Sequence, residues 1–304
     1  MLKQYIKELI KKEEVKDIID YSSFVVVEKL FNYLKSRNLS AARAIGEKIG
    51  VSAFYLDKHH RELATDNVIK SLNISRKSAS DIVKENFKHY GKMLAEIAHW
   101  KEIYNNFDEF FIPENIEIME NALNEKKGVI ILTGHISNWE IAGMGYTKKF
   151  GKVNVIVKNI HNKYIDSLIK NIRNTIGANL IGDSNTVFQM MRVLRKGEPV
   201  VFVFDQHAPG RQGVFVDFFG RKAATFKVVA MLARKYNIPV IPAYSVRLDN
   251  GKFLLHVDDP IAPVITDNLE EDIVVNTQNY TKYIEGIVRK YPEQWFWVHK
   301  RWRN

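Results

Sequence analysis

The chain has 304 residues, with 45 Lys and Arg against 35 Asp and Glu, for a formal net charge of +10. At 46% hydrophobic and 26% charged it reads as a globular chain long enough for a large core, which excludes a disordered tail, a collagen-like repeat and a disulfide scaffold. Cysteine is absent, so disulfides, thiolate zinc sites, iron–sulfur clusters and cysteine nucleophiles are excluded too.

Residues 1–112 read as nearly continuous helix. Leu2, Ile6, Leu9, Ile10 and Ile18 recur at helical spacing among Lys3, Lys7, Lys11, Lys12 and Lys16. The stretch 79–100 repeats the pattern with Ile82, Phe87, Tyr90, Leu94 and Ile97. The nearest candidate for a membrane span, 18–31, is interrupted by Asp20, Ser22, Ser23, Glu28 and Lys29, so none is predicted. No signal peptide is predicted either, because Lys3 and Lys7 precede no apolar region followed by small residues.

Composition changes at Pro113: all eight prolines and thirteen of the sixteen glycines lie at or beyond it. From Gly128 onward strand-like and helix-like segments alternate. Strands are expected at 128–132, 153–157, 200–204, 239–247 and 253–257, and helices at 137–146, 164–176 and 223–236. This predicts an α/β domain over 113–304 preceded by a helical section over 1–112.

The segment Thr133-Gly-His-Ile-Ser-Asn-Trp-Glu140 follows a buried strand, so His135 emerges at its C-terminal edge, where open α/β sheets bind ligands. On one ideal helix His135 and Glu140 would stand about 140° apart. They meet if His135 lies in the turn and Glu140 in the first helical turn. Glu140 then accepts the imidazole N–H and leaves the other nitrogen to take a proton from a hydroxyl. Ser137 to Glu140 also fits an S-x-x-E capping box, and both readings of Glu140 stand. A second strand, 199–204, delivers Asp205 and Gln206 to the same edge. After it comes a loop with Gly210, Gly213 and Gly220 beside Phe215, Phe218 and Phe219, a setting that suits a substrate with a polar head and an apolar tail.

Taken in order, these motifs resemble a known family. Gly-His-x4-Glu, then Asp-Gln with Gly-Val-Phe-Val-x-Phe-Phe-Gly-x-x-Ala-x-Thr, then Ile-Pro-Val-Ile-Pro, is similar to the late acyltransferases of lipid A biosynthesis, within the lysophospholipid acyltransferase superfamily. The closing Pro292-Glu-Gln-Trp-Phe-Trp-Val-His-Lys-Arg-Trp302 is very similar to that family's last motif. The resemblance spans roughly 60–304. It implies a mixed, mostly parallel sheet flanked by helices, of the glycerolphosphate-acyltransferase type. It also implies acyl transfer from an acyl thioester, commonly acyl-carrier protein with acyl-CoA as the alternative, to a hydroxyl of a membrane glycolipid.

Carried onto this chain, the resemblance makes His135 the general base and Glu140 its orienting partner. Arg173 matches the basic residue after the second motif and Asp205 the acid of the third. Gln206 lies beside Asp205, and Lys158, Arg173 and Arg221 are candidates to hold acceptor phosphates. No metal or cofactor is expected, since a thioester is already activated. Oxyanion donors are expected among backbone N–H groups near Ser137. The +10 charge suits an acidic carrier protein and an anionic membrane surface, placing the protein peripherally at the cytoplasmic face of the inner membrane. Trp295 and Trp297 read as core.

Three other classes remain for comparison. A nucleic-acid binder would suit the charge, but the basic residues are dispersed and no binding motif appears. A lipolytic serine hydrolase is suggested by Gly182-Asp-Ser-Asn185, although Phe204, Phe253 and Phe296 stand three before His207, His256 and His299, where an Asp-x-x-His pair would place its aspartate, and Ser184 also reads as a helix N-cap. A metal enzyme built on His135, Glu140, Asp205 and His207 lacks any recognised ligand spacing.

Overall fold

The computed structural model describes residues 13–182 and 185–303. The basic amphipathic pattern over 2–12 and the Ser184 motif therefore lie outside the described residues. Four helices come first: α1 (Glu13–Lys35), α2 (Leu39–Leu56), α3 (Lys58–Leu72) and α4 (Arg76–Ala98). Asn38, Asp57 and Ser75 start α2, α3 and α4 by accepting N–H groups of the first turn, and Asn73 closes α3 in the left-handed conformation.

Two short turns, α5 (Trp100–Asn105) and α6 (Phe107–Phe110), lead into β1 (Phe111–Glu114) and α7 (Ile116–Asn124). Next come β2 (Val129–Thr133), α8 (Trp139–Phe150), β3 (Asn154–Ile156), α9 (Lys163–Thr175), β4 (Asn179–Ile181) and α10 (Thr186–Leu194). β5 (Pro199–Val203), a hairpin of β6 (Gly213–Phe218) and β7 (Arg221–Phe226), and α11 (Val228–Tyr236) follow. β8 (Val240–Arg247), β9 (Phe253–Val257) and α12 (Leu269–Lys290) complete the elements.

Seven strands form one sheet in the order β1-β9-β8-β2-β5-β3-β4. Every pairing is parallel except β8 with β9, so the sheet is mixed and mostly parallel, flanked by helices, as the resemblance implied. β2 lies in its interior, and Val129 to Leu132 are all buried, which accounts for the unbroken apolar run. On one face Ile131, Ala243 and Val201 pack under α8 and α9; on the other Ile130, Leu132 and Phe202 pack under α10, α11 and α12. A third cluster joins Val68, Val83 and Phe87 of the helical section to Trp295 and Trp297, so the C-terminal motif is buried against α3 and α4.

The expected helix over 223–236 begins only at Val228, because 221–226 form a strand. Phe218 pairs with Arg221, and between them Phe219 and Gly220 have φ of 56° and 69°. Two consecutive positive φ values are the mark of the tight hairpin turn whose twist matches the flanking strands. That turn commits Ala223 and Ala224 to pairing. No helix among the described residues is long and apolar enough to cross a membrane.

Candidate active site

β2 and β5 run side by side in register, with Thr133 opposite Val203. Two residues past that pair, His135 and Asp205 arrive together at the C-terminal edge of the sheet. The Asp205 Oδ1 lies 2.7 Å from His135 Nδ1, and Oδ2 accepts the His135 backbone N–H at 2.7 Å. The same Oδ2 accepts the indole N–H of Trp295 at 2.7 Å. A Cβ at Gly134 would stand 3.0 Å from this oxygen, so glycine leaves the carboxylate room to approach the backbone.

Asp205 is 4% exposed. Burial pushes its carboxyl up, but the charge of His135 and the hydrogen bonds from His135 and Trp295 outweigh that and hold it below its ordinary value. A carboxylate on Nδ1 fixes the proton there and makes Nε2 the accepting nitrogen, able to take a substrate proton in place of its contact with Gln206. Nε2 faces the cavity, 3.2 Å from the side-chain amide nitrogen of Gln206. Trp139 and Phe296 flank the ring at centroid distances of 5.1 and 5.9 Å.

Glu140 does not meet the imidazole. Arg173 of α9 takes its carboxylate in a two-point grip, Nε to Oε2 at 2.9 Å and the terminal nitrogen to Oε1 at 2.5 Å. Burial lowers the Arg173 guanidinium, while the hydrogen bonds and charge of Glu140 more than restore it, leaving it above its ordinary value. Nor is Ser137 the cap of α8. Asn138 is, its side chain accepting from Ile141 N–H, while Ser137 sits at φ 55° with its hydroxyl unpartnered. The Ser137 amide donates to the carbonyl of Gln294 at 2.7 Å, so it is not free to serve an oxyanion.

His135, Glu140, Arg173, Lys158 and Gln206 line one cavity of about 1660 Å³. Sites for one drug-sized molecule hold roughly 300–1,000 Å³, so this one has room for two reactants. Arg221 stands apart from it, its guanidinium stacked 3.9 Å over Trp302. Among the described residues, no group of three or more His, Asp or Glu side chains is placed to hold a metal ion.

Several supports escaped the sequence reading. Trp295 is core, at 2% exposed, but it is also the third donor to Asp205. Its carbonyl is held by Asn86 and Tyr90 of α4, at 2.7 and 3.1 Å. Glu96, fully buried, accepts from Arg43, Arg247 and the side chain of Asn138, so one buried carboxylate anchors the cap of the helix that follows His135. The sequence signal for Glu96 is a charged residue beside Ile97 on the buried side of α4, a position that demands partners.

A mostly parallel sheet, a carboxylate-held histidine at its C-terminal edge and a large apolar cavity beside it form a site able to take a proton from a substrate that carries a long apolar group. The chain matches the model for the bacterial lipid A biosynthesis acyltransferase family over residues 18–304, and it belongs to that family. It is 28% identical over 190 residues to a lipid A biosynthesis acyltransferase of Haemophilus influenzae, covering 60% of this chain and 56% of that protein. The chain thus spans a little over half of that relative's length. It is 24% identical over 270 residues to the lipid A biosynthesis palmitoleoyltransferase of Escherichia coli, covering 86% and 84% of the two chains. A phosphatidylinositol mannoside acyltransferase of Mycolicibacterium smegmatis is 18% identical over 233 residues, 73% of this chain and 72% of that one.

Proposed function

We propose that the protein moves a fatty acyl group from acyl-carrier protein to a hydroxyl of a phosphorylated glycolipid of the lipid A precursor type, at the cytoplasmic face of the inner membrane. The observation that carries this reading is His135, its Nδ1 held by Asp205 and its Nε2 turned to a cavity walled by Ile131, Val155, Val201 and Ile169. Nε2 takes the hydroxyl proton as the oxygen attacks the thioester carbonyl. The new C–O bond forms, the tetrahedral intermediate collapses with cleavage of the C–S bond, and the leaving thiolate recovers the proton from Nε2. With the Ser137 amide engaged, the Gln206 side-chain N–H beside Nε2 is the donor for the oxyanion. The chemistry calls on no metal or cofactor.

Peripheral attachment is supported by α1, which exposes Ile18, Tyr21, Val26 and Tyr33, and by Phe188, 72% exposed at the mouth of the cavity. Arg192 and Arg195 follow Phe188 at helical spacing, and basic residues beside an exposed aromatic favour an anionic lipid interface.

The test incubates purified protein, and its His135→Ala variant, with acyl-carrier proteins of several chain lengths and a lipid extract, and reads products by mass spectrometry. A lipid heavier by one acyl group, formed about 10²–10⁴-fold more slowly by the variant, is the expected result. Acylation that persists undiminished in His135→Ala removes the histidine from the chemistry. No acylated lipid with either acyl-carrier protein or acyl-CoA overturns the reading.

A further inference from the structure

The cavity continues over the sheet edge on both faces. Its arm under α8 and α9 is apolar, lined by Ile131, Ala142, Tyr146, Val155, Ile169 and Val201. On the other face it opens as a groove between α10 and α11, and the lining there changes character. Met191 and Val228 form its apolar floor with the exposed Phe188 and Met231 at its lip, while Arg192, Arg195 and Lys227 stand along its rim. Arg211, from the loop before the hairpin, and Arg303, from the C-terminus, complete the ring. Spacing on α10 explains the arrangement: 188, 191, 192 and 195 share one helical face.

No ion pair holds any of these five cations among the described residues. Arg43, Arg76, Arg173, Arg234, Arg247 and Arg289, by contrast, each grip a carboxylate. Among the described residues the only carboxylate lining the cavity is Glu140, and Arg173 occupies it. A concave wall carrying one sign of charge focuses its field on whatever enters. The field also acts on a neighbour: burial, then the charges of Arg303 and Arg301, hold the His207 imidazole below its ordinary value at the same rim.

Resting on the acyl-transfer reading, we propose that the groove between α10 and α11, rimmed by Arg192, Arg195, Lys227, Arg211 and Arg303, is a binding site for a phosphate ester carried on an amphiphile. Guanidinium forks match phosphate oxygens two at a time, and the apolar floor receives the chain attached to the phosphate. Two substrates of the proposed reaction bring such a group: the phosphorylated glycolipid acceptor, and the phosphodiester arm that carries the acyl thioester. The acyl chain itself goes to the arm under α8 and α9.

The test compares Arg192→Ala/Arg195→Ala with a charge-matched control, Lys70→Ala/Lys77→Ala, whose lysines are exposed on α3 and α4. Initial rates are measured with a phosphorylated glucosamine lipid and its phosphatase-treated form as acceptors. Acyl-carrier protein and an acyl N-acetylcysteamine thioester, which carries no phosphate, serve as donors. The expected result is a KM raised about tenfold or more for one phosphate-bearing substrate, with kcat and the KM of its phosphate-free counterpart unmoved. A rise confined to the phosphorylated acceptor identifies the glycolipid as the source. A rise confined to the carrier-protein donor identifies the phosphodiester arm. Rates and KM values matching those of the control on all four substrates overturn the proposal.

Calorimetric titration with the phosphorylated glucosamine lipid and with phosphopantetheine keeps the two readings separable. If the protein transfers no acyl group yet binds one of these probes and loses it in Arg192→Ala/Arg195→Ala, the site stands and the acyl-transfer reading falls. If neither probe binds the unaltered protein, the site falls.

Discussion

A hydrogen-bonded pair and an ion pair flank the cavity, and they belong to different parts of the chemistry. His135–Asp205 sets a tautomer. Asp205→Asn removes the charge that holds the proton on Nδ1 and leaves an amide that can present its NH2 to the ring instead, so kcat/KM, measured where the variant is still folded, falls about 10²–10⁴-fold, alongside a lower melting temperature from the lost carboxylate. Glu140–Arg173 ties the first turn of α8 to the last turn of α9, with side chains 12% and 22% exposed. Since Glu140 touches Arg173 and not His135, a double-mutant cycle of Glu140→Gln with Arg173→Met yields a coupling of about 1–3 kcal/mol, whereas Glu140→Gln with Asp205→Asn comes out near additive. The reverse pattern would join Glu140 to the imidazole. His135 was legible from sequence because strand-Gly-His announces a sheet edge. Its partner was not, because Asp205 lies 70 residues away and only the β2–β5 register brings them together.

Single helices carry the next layer of support. All three glycines that precede Pro113 lie on one seam: a Cβ at Gly91 would stand 1.8 Å from the carbonyl oxygen of Gly46, and one at Gly50 would stand 2.1 Å from that of Phe87. The backbones of α2 and α4 therefore touch, and α4 in turn holds Trp295 through Asn86 and Tyr90 and the α8 cap through Glu96. Gly91→Ala has no flexible neighbour to displace, so overpacking costs at least the usual 1–3 kcal/mol and lowers the urea midpoint accordingly. Activity falls too, measured where the variant is still folded, because the carbonyl brace of Trp295 shifts with the helix. Gly91→Ala with unaltered kcat would uncouple α4 from the site. The helical section and the alternating pattern were readable from hydrophobic periodicity. Residues 221–226 were not, because Ala-Ala-Thr-Phe-Lys-Val reads as helix locally while the turn at Phe219 and Gly220 decides the pairing.

At the scale of the whole molecule, the closing motif makes stability depend on pH. Burial lowers the His299 imidazole from 6.5 to about 4, with Asp205 pulling it up and His135, Arg301 and Arg303 pushing it down. Between those two values the unfolded chain binds a proton at this position and the folded one does not. Stability is therefore complete above about pH 6.5 and declines as pH falls toward 4, where the folded ring at last titrates. Asp205 acts in a lower window: its depressed carboxyl contributes stability above 3.8, and that contribution is lost as pH drops through its folded value. The two effects separate experimentally. His299→Gln keeps a neutral polar group and removes its titration, so the slope of melting temperature against pH becomes shallower between 6.5 and 4, the buried His89, also held well below its ordinary value, supplying the remainder, while the loss at lower pH persists. Asp205→Asn keeps the upper slope and extends it to lower pH, because the charge that raises the His299 imidazole is gone, and it weakens the lower one. An upper slope unchanged in His299→Gln would mean that another buried group carries the acid sensitivity, and that the C-terminal motif closes the fold without linking its stability to protons.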